Sequence, residues 1–435
     1  MPHPIASLTV RALQAALRTG EISVAELVGH LCLAAERLQP SHAYLHFDPE
    51  HLRTEAAALI PTANQGALLG VPVSVKDLMD VRGQPTTCGS RAGSNVPQTA
   101  SHDAAFVATW RRAGVLFTGK THLNEHAYGI TGENPWFGDC TQPGDPTRLT
   151  GGSSSGAAAT VLGGAAWVGL GTDTGGSLRV PASLCGLVSL RAPSWFPDHR
   201  GIAPLARSFD TLGWIQRWLG DVETTATGLL GRMPNGVPTP ILRWMTGPVL
   251  NGCDPGVLEA FDSLRARLAS AGMQVEAASA DGWETAVDSF AALQAREAFD
   301  VHRIALVKEP AAFSPAVRAR LQWGGTIPEG ELNLHREQRQ HLVRAMGGLM
   351  EGGRVLVLPA APMTQLRTGA DHAANRGRIL TLTAPASLGV YPVLTVPDTA
   401  LGGGARVGYQ FIAAPGCEWS LVRLANELAL RLGEG

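Results

Sequence analysis

Gly151-Gly152-Ser153-Ser154-Ser155-Gly156 and Gly171-Thr172-Asp173-Thr174-Gly175-Gly176-Ser177-Leu178-Arg179 are two serine-bearing, glycine-rich turns. Between them lie a small-residue stretch that reads as a helix, Ala157 to about Gly164, and a short apolar strand, Trp167 to Leu170. Glycines beside a serine let a backbone approach a bound molecule closely and leave N–H groups pointing at it. Hydrolases use such groups to hold a developing oxyanion. The pair of turns therefore points to acyl chemistry built on the ends of an α/β sheet.

A lysine upstream supplies the missing base. The chain has only three lysines, arginine having taken nearly all the other basic positions, yet Lys76 persists within Val73-Ser74-Val75-Lys76-Asp77. Arginine holds its proton to a pKa above about 12, whereas a desolvated lysine can fall to about 7–8 and act as a base. The competing reading of Lys76 is a structural ion pair or a snorkelling surface residue. Asp77 next to it does not spoil a basic role, because neighbouring residues on a strand face opposite ways.

With the lysine strand Val75-Lys76-Asp77 and the turns Gly151 to Gly156 and Gly171 to Ser183 in place, the chain resembles the amidase signature family. Further stretches look like that family: Gly119-Lys120-Thr121 through Gly138, Ser208 to Gly213, and the tail Pro392 to Leu432. The likeness is weakest from about 221 to 353, and Ser155 stands where glycine is common. The resemblance implies Ser177 as nucleophile, Ser153 as a bridging serine in a cis peptide, and Lys76 as base. It also implies an amidohydrolase acting on linear amides with no cofactor and no metal. The fold it implies is α/β, a single large domain over 1–435 with a central mixed twisted sheet covered by helices. Its core would be about 66–220 and 354–435, and a variable helical region, about 221–353, would wall the substrate pocket.

Chemistry supports those roles. Serine is a poor nucleophile until a base takes its proton, and a second hydroxyl between serine and lysine can accept and donate at once. Backbone N–H groups of Thr174, Gly175, Gly176 and Ser177 are the expected oxyanion donors. Ser154 is expected to hydrogen-bond the lysine, and Asp173 and Arg179 to brace the loop. Met79, Trp136 and Phe137, near the motifs in sequence, are the candidate substrate contacts.

Three rival motifs compete with this reading. Gly152-Ser153-Ser154-Ser155-Gly156 also fits a Gly-x-Ser-x-Gly nucleophile elbow with Ser154 as nucleophile, but Pro146 to Thr150 makes a poor preceding strand. His122-Leu123-Asn124-Glu125-His126 matches an inverted zinc-protease pattern and would place two histidines on one helical face. Gly169-Leu170-Gly171 opens like a dinucleotide fingerprint, but Thr174 occupies the third glycine's place.

A net charge of −2 gives no electrostatic footprint for nucleic acid or an anionic membrane. Six scattered cysteines without a CxxC pair read as free thiols. The N-terminus shows no signal-peptide pattern, and Ala157 to Leu170 is too short to span a bilayer. A cytoplasmic enzyme is expected, with a homodimer compatible. Periodicity predicts helices over Val10–Arg18, Val24–Leu38, about 254–271 and about 419–432. It also predicts a long helical stretch over 282–350, broken near Pro310 and Pro328. Strands are expected at Leu69–Val75, Val115–Thr118, Leu187–Leu190, Met273–Ala277, Arg354–Pro359, Val393–Val396 and Val407–Ile412. Few charges attend the motifs, so a small neutral aryl or alkyl carboxamide is the expected substrate. Carbamate (urethane) or ester cleavage by the same residues is an alternative. Readings of a different class are an inactive scaffold or one chain of a tRNA-dependent amidotransferase.

Overall fold

Strand Pro72–Lys76 is buried at every position, its polar Ser74 and Lys76 included, as befits a strand paired on both sides. It runs parallel to Leu116–Thr121 on one side and to Val168–Thr172 on the other. The computed structural model describes residues 4–59, 66–91, 99–280, 282–398 and 406–432. Among them, eleven strands form one mixed sheet. Its order is Tyr44–His46, Leu116–Thr121, Pro72–Lys76, Val168–Thr172, Leu212–Gln216, Val188–Arg191, Val393–Pro397, Gly408–Ile412, Val355–Pro359, Leu242–Thr246 and Val275–Ser279. The pairing is parallel around Lys76 and again from Val355–Pro359 to Val275–Ser279. From Val168–Thr172 through Val355–Pro359 it is antiparallel.

The expected strands are present with shifted ends. Leu116–Thr121 runs on to include Lys120 and Thr121. The strands Leu212–Gln216 and Leu242–Thr246 were not foreseen. The first carries Gly213, a residue that weakens a strand signal. There a β-carbon would lie 2.1 Å from the Leu190 carbonyl oxygen, so glycine is what lets the two strands pair. The second carries Arg243, whose partly exposed side chain pairs with Glu276 at 3.0 Å and breaks the apolar run.

The helical stretch resolves into Ala286–Lys308, Pro315–Thr326 and Glu329–Met350, with breaks at Pro310 and Pro328 where proline removes an amide donor. The upstream helix Val24–Arg37 starts on a capping box between Ser23 and Glu26. No helix among the described residues is long and apolar enough to cross a membrane.

Gly324 fixes how Pro315–Thr326 packs on Ala286–Lys308. A β-carbon there would stand 2.0 Å from the Ala295 carbonyl oxygen, a backbone atom that cannot swing aside. Gly324→Ala should therefore push the two helices apart and cost about 1–3 kcal/mol in urea unfolding. An unchanged midpoint would contradict this packing.

Candidate active site

Lys76 and Thr172 end adjacent parallel strands, so both side chains stand at the carboxyl edge where open α/β sheets bind ligands. The serines reach the same edge from two helix starts. Helix Ser155–Leu162 lies almost on the sheet because its residues and those beneath it are small. A β-carbon on Gly169 would meet the Ala157 carbonyl oxygen at 2.7 Å, and one on Gly156 would meet the Ala43 carbonyl oxygen at 2.2 Å. This close seating carries Ser153 over the strand ends. Ser177 precedes helix Arg179–Cys185, and Gly176 before it adopts φ +124, a conformation open to glycine.

The three side chains form one row. Lys76 Nζ is 2.8 Å from Ser153 Oγ and 2.9 Å from Thr172 Oγ1. Ser153 Oγ is 2.9 Å from Ser177 Oγ. The Gly152–Ser153 peptide bond is cis. Lys76 and Ser153 are fully buried and Ser177 nearly so. Burial pushes the Lys76 ammonium down to about 7, against the pull of the Asp173 and Asp210 charges. Among the described residues, no carboxylate lies within ion-pair distance of Lys76; its partners are hydroxyls.

Asp173 organises the turn that carries Ser177. Its carboxylate accepts from the Gly176 N–H at 2.8 Å, the Leu178 N–H at 3.0 Å, and Arg179 Nε and Nη2 at 3.0 and 2.9 Å. Arg191 Nε stands 3.4 Å away. Burial alone would raise this carboxyl's pKa, but the two guanidiniums and the loop amides hold it well below the usual carboxylate range. Arg179 also donates to the Thr383 carbonyl, Gln410 Oε1 and Ser387 Oγ, tying the turn to helix Ala373–Leu388 and strand Gly408–Ile412.

Several expectations need correction. Gly176 is not a free oxyanion donor, because Asp173 takes its N–H. The N–H groups of Thr174, Gly175 and Ser177 have no acceptor among the described residues. Ser154 does not bond the lysine. Its hydroxyl donates to the Thr172 carbonyl at 3.2 Å, and Thr172, one strand over from Lys76 in parallel register, fills the role instead. His122 and His126 do not share a helical face: the segment forms a short 3-10 turn with His126 at φ +50. His122 bonds the Gly138 carbonyl at 2.8 Å, and the His126 ring lies against His302 with centroids 4.4 Å apart.

Met79, Trp136 and Phe137 do not line the cavities at Ser177. Met79 is core, and Trp136 Nε1 donates to Glu125 Oε1 at 2.9 Å with Arg91 over its ring. Two cavities meet at Ala127 and Thr174. One, of about 10 Å³, is bounded by Ser177, Tyr128, Phe290, Gln294, Arg376 and Leu380. The other, of about 260 Å³, reaches from Thr172 to His199, Ile202 and Asp210. A roomier groove of about 620 Å³ runs past His102, Phe106 and Trp195 and shares no residue with the serines. The structural ion pair considered for Lys76 belongs instead to Lys120, which meets Asp77 at 2.7 Å, both fully buried.

Comparison with known proteins decides the family. The amidase family model matches residues 26–242. The 2-amino-5-chloromuconic acid deaminase of Comamonas testosteroni is 30% identical over 454 residues, covering 99% of this chain and 97% of the deaminase. The chain belongs to the amidase signature family. It is thus an enzyme of a family that acts on C–N bonds. A crystal structure of an amidase superposes with a TM-score of 0.89 at 31% identity, covering 98% of this chain and 100% of that one. That match agrees with the expected mixed α/β domain. A glutamyl-tRNA(Gln) amidotransferase chain of Akkermansia muciniphila is 29% identical, over 91% of this chain and 93% of its own length.

The Asp173 cluster carries a prediction. Asp173→Ala would leave Arg179 and Arg191 buried without their carboxylate, a loss of about 3–5 kcal/mol. Denaturant unfolding should show it. A loss below about 1 kcal/mol would mean that the cluster does not hold the turn.

Proposed function

We propose that the protein hydrolyses a small amide through an acyl-enzyme on Ser177, with Lys76 as base and Ser153 as proton carrier. The observation behind this is the unbroken row from Lys76 Nζ through Ser153 Oγ to Ser177 Oγ, sealed from water at the lysine end. With a neutral amine the contacts run from Ser177 to Ser153 and from Ser153 to the Nζ lone pair. As the Ser177 oxygen attacks the carbonyl carbon, its proton passes to Ser153 while the Ser153 proton passes to Lys76. The oxyanion is received by the N–H groups of Thr174, Gly175 and Ser177, with Gly176 committed to Asp173.

Lys76 then returns a proton through Ser153 to the leaving nitrogen as the C–N bond breaks. Water repeats the sequence on the acyl-enzyme and frees the acid and Ser177. A carbamate or ester enters by the same acylation, so urethane cleavage is the companion reaction. Asp173 and Arg179 hold the turn and touch no reacting atom. We assign the region 221–353, which supplies Phe290 and Gln294, as the pocket wall. The core is then about 66–220 and 354–435, of which 92–98, 399–405 and 433–435 lie outside the described residues. Free cysteines throughout fit a reducing compartment, which supports the cytoplasm as its location.

Two measurements test the roles. An amine anion is too basic to leave without a proton, whereas an aryl oxide leaves unaided. Lys76→Ala should lower kcat/KM for an anilide by about 10²–10⁴-fold and lower it less for the matched aryl ester. Ser177→Ala should abolish both, and equal losses in Lys76→Ala would remove lysine as the leaving-group acid. In the wild type, anilide turnover should rise with pH around a midpoint of about 7, because the base is the form without its proton. A rate that falls across that midpoint would contradict a neutral lysine.

A further inference from the structure

The cavity beside Ser177 holds polar groups that the hydrolytic row does not use. Arg376, at the start of helix Ala373–Leu388, lines it together with Tyr128 and Gln294. Among the described residues the Arg376 guanidinium has neither a hydrogen-bond nor an ion-pair partner, and neither does the Tyr128 hydroxyl. Arg320, from helix Pro315–Thr326, stacks its guanidinium 4.6 Å from the Tyr128 ring centroid. Its one protein hydrogen bond among the described residues runs from Nε to the Ala316 carbonyl. Gln294 is 5% exposed, and its Oε1 is buried without a partner.

Unpaired donors in such a place are costly. Both arginines are half-buried; a guanidinium that has lost part of its water normally finds a carboxylate, and two that feel each other's charge repel. Burial lowers the pKa of both arginines, and the Arg376 charge lowers Arg320 further. Glu125, the acid acting on Arg320, is already engaged by Ser90 Oγ, Trp136 Nε1 and the Ser314 N–H. Among the described residues, then, no carboxylate lies within ion-pair distance of Arg376 or Arg320, and Arg376 stands at the wall of the Ser177 cavity.

We propose that Arg376, with Arg320, Tyr128 and Gln294, forms a carboxylate-binding subsite, and that the preferred substrate is the monoamide of a short dicarboxylic acid. This rests on Ser177 as the nucleophile. The planar guanidinium fork matches a carboxylate bidentately, and the Tyr128 hydroxyl supplies a further donor. The Gln294 amide offers an acceptor for a substrate N–H and a donor beside it. Because Arg376 and Ser177 line the same small cavity, the chain joining carboxylate to scissile carbonyl must be short. The proposed subsite departs from the neutral acyl group expected from the sparse charge around the motifs, because its charge comes from helices distant in sequence.

Calorimetric titration of the full chain with succinate, and kcat/KM for succinamate against its neutral counterpart succinamide, test this. Succinate should bind saturably, and Arg376→Gln should weaken it about 10–100-fold. Arg376→Lys should fall between, and Tyr128→Phe should weaken binding by a smaller factor. The wild type should prefer succinamate at least about tenfold, a preference that Arg376→Gln removes mainly through KM. No saturable succinate binding, binding of inorganic phosphate in its place, or a preference that survives Arg376→Gln would overturn the subsite. Ser177→Ala separates the two readings, since it should bind succinate normally while losing turnover. A Ser177→Ala protein that still hydrolysed succinamate would overturn the nucleophile while its succinate binding upheld the subsite.

Discussion

A lysine amine shut away from water, with two hydroxyls and, among the described residues, no carboxylate beside it, is the constraint on which the rest of the molecule depends. Moving Lys76 from 10.5 to about 7 corresponds to roughly 5 kcal/mol of penalty on the charged form. A single free carboxylate nearby would cancel much of that penalty. Among the described residues none lies within ion-pair distance of Lys76, and Asp210, which pulls on it from farther away, is held by Thr174 and the Leu205 and Ala206 amides. Asp77 turns away from Lys76 and is neutralised by Lys120 at 2.7 Å. Asp173 is closer to the chemistry, but its charge is spent on Arg179, on Arg191 and on the amides of its own turn. What remains for Lys76 is a pair of neutral oxygens, on Ser153 and Thr172, that can share a proton without fixing its charge.

The same economy of charge shapes the scaffold. Parallel strands place Lys76 and Thr172 side by side at their carboxyl ends, and a helix of small residues packs closely enough to hang Ser153 above them. Ser177 needs a firmer support because its turn must keep several N–H groups pointing one way. The Asp173–Arg179 pair provides it, and Arg179 extends the brace to Thr383, Ser387 and Gln410 across the sheet. Helix Ala373–Leu388 is therefore tied to the turn of Ser177 at Thr383 and presents Arg376 to the cavity about two turns earlier.

How much of this was legible in the sequence depended on distance along the chain. The turns around Ser153 and Ser177 declare themselves because glycine, serine and aspartate crowd into a few positions. The lysine declares itself because it resists a bias toward arginine. Thr172 was in plain view inside the same motif, but its role needs the register between Val168–Thr172 and Pro72–Lys76, which no local pattern encodes. Gly176 was misjudged for a similar reason, since only the folded turn shows Asp173 claiming its N–H. The proposed pocket was least legible. Trp136 and Phe137 are near the motifs in sequence, whereas Tyr128, Gln294, Arg320 and Arg376 come from four separate segments. Nothing about an arginine on a helix says which groups will surround it until the fold brings them together.

The central claim is that Ser177 is the nucleophile and that Ser153 delivers its proton to Lys76. Reaction with a fluorophosphonate, mapped by peptide mass spectrometry and timed in wild type and Ser153→Ala, addresses both halves at once. A single adduct on Ser177, formed far more slowly in Ser153→Ala, is the predicted result. An adduct on Ser154, or one on Ser177 that forms as fast without the Ser153 hydroxyl, would contradict it.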